Sequence, residues 1–211
     1  MTLSLHVPEP EVRPGDTPDF SNVDIPRAGE VPRPEVDCDP ETMRDLAFGI
    51  IRVLNREGKA VGPWNPKLSG EDLRAGLKHM LTLRAYDARM LMAQRQGKTS
   101  FYMQNLGEEA VACAFQRVLR AGDMNFPTYR QAGLLIASDY PLRNMMCQVY
   151  SNEADTVRGR QLPVFYSSKP HGFFSISGNL ATQYIQAVGW AMASAISNDD
   201  KIAAAWIGDG S

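Results

Sequence analysis

The 211-residue chain carries 22 Lys and Arg against 24 Asp and Glu, a net charge of −2, with 44% hydrophobic and 22% charged residues. That size and balance suit one sizeable soluble domain, or one domain with an extension, and the missing basic field argues against nucleic acid or a membrane surface as partner. Three widely spaced cysteines, Cys38, Cys113 and Cys147, offer no CxxC pair; they argue against structural zinc or a disulfide framework and fit a reducing compartment.

The opening "MTLSLHVPEPEVRP" lacks the apolar core of a secretory signal and no apolar run is long enough to span a bilayer, so a cytoplasmic location is expected. Residues 1–40 hold eight of the 14 prolines, which cannot propagate a helix or pair as a central strand. They form either a tail or an extended N-terminal arm, for which Leu3, Leu5, Phe20, Val23, Ile25 and Val31 are residues to bury. Residues 41–67 read as a short helix near Glu41–Phe48 and a hairpin turning at Arg56-Glu57-Gly58. The remainder, 68–211, reads as the main domain.

It opens on a long helix. Ser69 precedes Asp72 by three as in a capping box, apolar residues recur at Leu73, Leu77, Met80, Leu81 and Leu91, and Gly97 closes it. "GEEAVACAFQRVLRAGD" predicts a second helix with Glu108 and Glu109 in its first turn and Gly122 past its end. "TYRQAGLLIAS" and "PLRNMMCQVYS" predict two short ones, with Pro141 suited to a first turn. "NLATQYIQAVGWAMASAIS" is apolar nearly all round, through Leu180, Ala181, Tyr184, Ile185, Val188, Met192, Ala195 and Ile196, and a helix of that kind is expected to be buried on most faces. It leads into a strand at Ile202–Ile207 that breaks at Gly208-Asp209-Gly210. Helix and strand make half of a βαβ unit whose partner strand is expected after Ser211. The fold class is therefore α/β with a parallel sheet, and the glycine turn lies where such sheets bind ligands, beyond the carboxyl end of a strand.

Each candidate site residue has a plain reading beside the functional one. Arg130, next to Tyr129, can add a charge-assisted grip on phosphate to the free N–H groups of a helix start, or can simply be a solvated arginine. Ser177-Gly178-Asn179 can cap the last helix, or can turn backbone groups and nearby oxygens toward a ligand or a monovalent cation. Asp209 between glycines can reach a metal that a phosphate also touches, or can tip a tight turn. His79 is a lone histidine on a helix without a partner at metal spacing, and His171, also lone, lies in a glycine-containing loop that leaves a site role open; the cysteines and the "RMLMAQ" and "RNMMCQ" methionines read as core.

Taken in order, "FYMQNLGEEAVACA", "NFPTYRQAGLLIASDYPL", "GRQLPVFYSSKPHGFFSISGNLATQYIQAVGWAMA" and "IGDGS" resemble the alpha subunit of the thiamine-diphosphate-dependent 2-oxo acid dehydrogenases, over roughly Leu68 to Ser211. The resemblance implies a thiamine-diphosphate-binding fold, a parallel sheet flanked by helices, here truncated within the cofactor motif. "GRQLPVFY" favours the branched-chain members; a pyruvate or acetoin enzyme, and a non-enzymatic helical interaction module, are the alternatives. By position, the resemblance implies that Tyr129 and Arg130 hold the diphosphate, that Gly178 and Leu180 offer backbone groups to the aminopyrimidine ring, and that Gly210 packs on the cofactor. It implies Asp209 as a magnesium ligand and Ser177, Asn179, Thr182 and Gln183 around a potassium ion. No catalytic acid or base is assigned to this chain, because a beta subunit is expected to supply the activating glutamate. The expected partners are that beta subunit, in an assembly of two alpha and two beta chains, and a lipoyl-bearing acyltransferase.

Overall fold

The computed structural model describes residues 13–17, 19, 25–47, 49–208, 210 and 211. Among these, the proline-rich start yields no regular element before Pro40. Leu3, Leu5, Phe20 and Val23, four of the residues offered for an arm to bury, lie outside the described residues, as does Phe48. The chain divides into two compact units, Met1–Leu68 and Ser69–Ser211.

In the first unit the short helix is a 3-10 helix, Pro40–Ala47, started by Asp39, whose carboxylate accepts from the Glu41 N–H at 3.0 Å. The hairpin lies where the sequence suggests: Leu54 and Ala60 bridge antiparallel, and the Gly58 N–H closes the turn on the Asn55 carbonyl at 3.1 Å.

In the second unit α1 spans Gly70–Arg95. The Ser69 hydroxyl accepts from the Asp72 N–H at 3.1 Å, and the Asp72 carboxylate accepts from the Ser69 N–H at 3.3 Å, so the capping box is complete. Its buried face, however, is Leu83, Tyr86, Asp87, Met90 and Ala93, while Leu73, Leu77 and Leu81 are each more than half exposed. Periodicity identified the helix and not its covered side. At about 1.5 Å per residue α1 is roughly 39 Å long, whereas its neighbours α2 (Glu109–Gln116) and α3 (Ala132–Ala137) are eight and six residues, too short to cover all of it. The second helix thus stops well before Gly122. α4 covers Leu142–Val149, with Pro141 as its cap, and α5 covers Thr182–Ile196.

Two strands, β1 (Met124–Phe126) and β2 (Ala203–Ala205), pair in parallel with Met124 opposite Ala203 and Phe126 opposite Ala205. The sequence gives no sign of this partner: β2 pairs with a strand far earlier in the chain, while the strand expected after Ser211 lies outside the described residues. Three residues are too few to carry a period, which is why β1 gives no sequence signal. Phe173 bridges the far side of β1 at Asn125, and Gly172 makes this possible: its φ is +60°, and a Cβ there would stand 2.5 Å from the Asp123 carbonyl.

The core gathers Leu83 and Met90 from α1, Ala112 from α2, Leu134 and Leu135 from α3, and Met145 and Val149 from α4. Gly133 lets α3 approach α1 and α2 closely, since a Cβ there would lie 2.9 Å from the Ala112 Cβ. Met90 and Met145 are core as expected; Met92 is exposed. The cysteines are free thiols, Cys113 and Cys147 buried and Cys38 half-buried.

The expectation for α5 is overturned. Only Gln183, Ala187 and Ser194 are buried, and Tyr184, Ile185, Val188, Met192 and Ile196 are 50% exposed or more. Burial on most faces needs a surface on each side. Within this unit, α5 packs against the sheet through one side only.

Candidate functional site

Parallel pairing sends the ends of β1 and β2 to one edge of the sheet. Pro127 to Gln131 follow the first strand and Trp206 to Gly208 the second, with α3 and the glycine turn beyond them. Between these segments lies a cleft of about 430 Å3 lined by Tyr129, Arg130, Leu180 and Gly210, with Glu108 and Gln131 on one wall. Four of the five residues that the sequence offers for cofactor binding thus come together from three separate stretches. Gly178, the fifth, stands outside the lining against Phe165, where a Cβ would be 3.5 Å from Cε2.

The Arg130 side chain is 40% exposed and held from three sides. Its Nη1 donates to the Gln104 carbonyl at 3.3 Å, its Nε lies 4.0 Å from a Glu108 carboxylate oxygen, and its guanidinium stands 5.7 Å from the Tyr129 ring centre. This is an arginine aimed into a cleft rather than one fully solvated on a helix face. The N–H groups beside it are less available than the sequence suggests: Ala132 N–H donates to Asn105 Oδ1 at 3.2 Å and Thr128 N–H to Gln131 Oε1 at 2.8 Å. The side chain, not the terminus of the six-residue α3, therefore carries the positive charge of this cleft. Gln131 is buried and also donates from Nε2 to Glu108 Oε2 at 3.1 Å, joining the strand-end segment to the start of α2.

Behind the cleft is a cluster that motif reading missed. Asp87 is fully buried and accepts from the Tyr102 hydroxyl at 2.7 Å, the Asn105 N–H at 2.6 Å and Asn105 Nδ2 at 2.9 Å. Burial pushes its carboxyl above the usual range, and these hydrogen bonds offset only part of that. The available signal was a carboxylate in helical phase with Leu83 and Met90. Nearby, Glu109 is buried against Arg84 at 2.7 Å; burial alone would raise its carboxyl, but the Arg84 hydrogen bonds and the Gly107 N–H hold it below the usual range.

The turn before α5 is not a plain side-chain cap. The helix starts at Thr182, and the cap position is Ala181 in a left-handed conformation, φ +67°. Ser177 Oγ accepts from the Asn179 N–H at 3.2 Å, and Thr182 Oγ1 donates to the Asn179 carbonyl at 2.8 Å. Gln183 is buried with Nε2 on the Trp206 carbonyl at 2.6 Å, tying the start of α5 to the end of β2. Asp209 lies outside the described residues.

The remaining candidates do not line this cleft. His171 Nδ1 meets Ser168 Oγ at 2.8 Å with its ring edge-on to Tyr140, and His79 has no metal-spaced neighbour among the described residues. The Cys113 thiol is pushed up to about 11, by burial and then by Glu109, which makes it no nucleophile.

The sequence profile of the family described as "Dehydrogenase E1 component" matches residues 77–211, and the profile described as "2-oxoisovalerate dehydrogenase E1 alpha subunit N terminal" matches residues 1–41. The chain is 63% identical over 208 residues to a 2-oxoisovalerate dehydrogenase subunit alpha of Pseudomonas aeruginosa, an alignment covering 99% of this chain and 51% of that protein. It is 40% identical over 162 residues to the mitochondrial 2-oxoisovalerate dehydrogenase subunit alpha of Homo sapiens, covering 76% of this chain and 36% of that one. The chain spans about half the length, or less, of these curated relatives.

Proposed function

The chain belongs to the dehydrogenase E1 component family, and from that premise we propose that it is part of the alpha subunit of a thiamine-diphosphate-dependent decarboxylase of branched-chain 2-oxo acids. The acyl group left after decarboxylation would pass to lipoyl-lysine on an acyltransferase, and a beta subunit would complete the site in an assembly of two alpha and two beta chains. The observation that carries the reading is the convergence of Tyr129, Arg130, Leu180 and Gly210 on one cleft. Its volume of about 430 Å3 is within the usual range for a cofactor site, roughly 300–1,000 Å3.

The residues present suit the group. A partly exposed guanidinium beside the tyrosine meets the charge of a diphosphate, and glycine backbone at 208 and 210 permits close approach. In this reading Arg130 and Tyr129 hold the diphosphate, Gly178 and Leu180 orient the aminopyrimidine through backbone groups, and Gly210 packs on the cofactor. Asp209 contributes a magnesium ligand. The turn that gathers oxygens of Ser177, Asn179 and Thr182, with Gln183 next in line, suits a potassium ion. Bound thiamine diphosphate supplies an electron sink as carbon dioxide leaves. This chain's work is binding and orientation, and no proton transfer is assigned to it.

The test is calorimetric titration of thiamine diphosphate and magnesium into the full-length subunit assembled with its beta subunit. Asp209→Ala should abolish magnesium-dependent binding with little change in stability, while Asp209→Asn retains weak binding at raised magnesium. Branched-chain 2-oxo acids should show higher kcat/KM than pyruvate, by about 10–200-fold for each extra methyl or methylene accommodated. Unchanged affinity in the alanine variant would overturn the magnesium role, and a preference for pyruvate would overturn the substrate.

A further inference from the structure

Asn105 sits where three parts of the cleft meet. Its side-chain oxygen accepts from the Ala132 N–H at the start of α3, and its carbonyl accepts from the Glu108 N–H at 3.0 Å, ahead of α2. Its own N–H and Nδ2 both donate to Asp87. The residue before it, Gln104, supplies the carbonyl that receives Arg130 Nη1. We propose that the buried Asp87–Asn105 pair is a positioning device for the cleft arginine, fixing at once the Gln104 carbonyl, the Glu108 wall and the first residue of α3 around Arg130. The inference rests on the reading of this cleft as the diphosphate site.

The chemistry explains why a carboxylate occupies a position where an apolar residue would otherwise serve. Three donors converge on Asp87: the Tyr102 hydroxyl and Asn105 Nδ2 on one oxygen, the Asn105 N–H on the other. Only a group with two acceptor oxygens satisfies all three. An asparagine at 87 would turn an NH2 toward one of these donors and release one end of Asn105. Both residues are essentially without solvent exposure, so no water is at hand to replace the lost bond. Release at Asn105 frees Gln104, and with it one of the groups holding Arg130. A lock of this kind preorganises the binding group, so its loss should appear in cofactor affinity before it appears in turnover.

Asp87→Asn and Asn105→Ala should each be compared with Arg130→Ala, and with the double variants that combine each with Arg130→Ala, in the full-length subunit assembled with its beta subunit. Tyr86→Phe serves as the control. Tyr86 neighbours Asp87 on α1, and the substitution removes its buried 3.2 Å hydrogen bond to Tyr166 without touching Asn105. The expected result is a tenfold or greater loss of thiamine diphosphate affinity by calorimetry for Asp87→Asn and Asn105→Ala, and a parallel loss with inorganic pyrophosphate as probe. The KM for the cofactor rises while kcat at saturating cofactor stays within about twofold. Tyr86→Phe lowers Tm without moving affinity, and the double variants lose no more affinity than Arg130→Ala alone. Wild-type affinity in whichever of the two variants folds, or full additivity with Arg130→Ala, would overturn the inference. An unchanged affinity in Arg130→Ala alone would instead remove the diphosphate reading, and the positioning role would fall with it.

Discussion

Arg130 reaches the cleft as a single charged side chain, so its effect should be separable from the fold. Arg130→Ala is expected to weaken thiamine diphosphate binding in the assembled enzyme by about 1.5–3 kcal/mol, the usual worth of a hydrogen bond to a charged group. Arg130→Lys should recover only part of this, because a planar fork becomes a point charge. Titration of the three proteins side by side checks both statements. Asp123 acts at the same scale on the fold itself. Its buried carboxylate accepts from the Ile202 N–H at 2.9 Å and the Arg120 N–H at 2.8 Å, pinning the entry of β2 to that of β1. Burial would raise its carboxyl, but the two N–H groups and the Arg120 guanidinium win and hold it below its ordinary value of 3.8. A lowered folded value stabilises the protein above 3.8, and that stability is lost as pH falls through the folded value. Asp123→Asn should therefore cost about 1–3 kcal/mol at pH 7, with the gap to wild type closing below about pH 4. Urea unfolding across pH measures it, and a gap constant down to acid would show that the charge plays no part.

Among the elements, the tightest constraint is the meeting of α1, α2 and α3 at Gly133. A Cβ there would stand 2.9 Å from Ala112 Cβ and 3.2 Å from both Cys113 Sγ and Leu83 Cδ2. Replacing a helical glycine by alanine normally gains about 1 kcal/mol. Here overpacking, typically about 1–3 kcal/mol, outweighs it, because the Ala112 methyl has no rotamer by which to move away. Gly133→Ala should lower stability and shift α3 off the core, carrying Arg130 with it. Thermal unfolding and cofactor affinity should fall together; a raised Tm would mean that the three helices have slack. The uncovered stretch of α1 at Leu73, Leu77 and Leu81 belongs to the same scale, since helices of eight and six residues leave part of a 26-residue helix without a neighbour.

For the molecule as a whole, the outer face of α5 dominates. Ile185 is 76% exposed and Ile196 84%, with Tyr184, Val188 and Met192 alongside, and β2 pairs with β1 alone among the described strands. Contiguous apolar surface and an unpaired strand edge both favour association. The 211-residue chain, expressed by itself, should self-associate at micromolar concentration. Ile185→Lys together with Ile196→Lys should reduce that association without unfolding the chain, since neither side chain is in the core. Sedimentation velocity on the two proteins decides it; a wild-type chain that stays monomeric would show that the face is not adhesive.

By itself the sequence determined what short-range chemistry controls. Ser69 and Asp72 start α1, Gly97 lies beyond its end, and the glycine and Tyr-Arg blocks mark Tyr129, Arg130, Leu180 and Gly210, which line one cleft. These signals act within a turn or two of backbone, so they are legible without knowing what packs against them. Only the tertiary structure decided which side of α1 is covered, where β2 finds its partner, that α5 bares most of its apolar residues, and that Asp87 reaches Asn105 behind the cleft. Each depends on groups far apart along the chain, and an apolar or charged side chain carries no record of which distant surface it will meet. A helical period states that a face can be buried; burial itself is a property of two surfaces, and the second is not written beside the first.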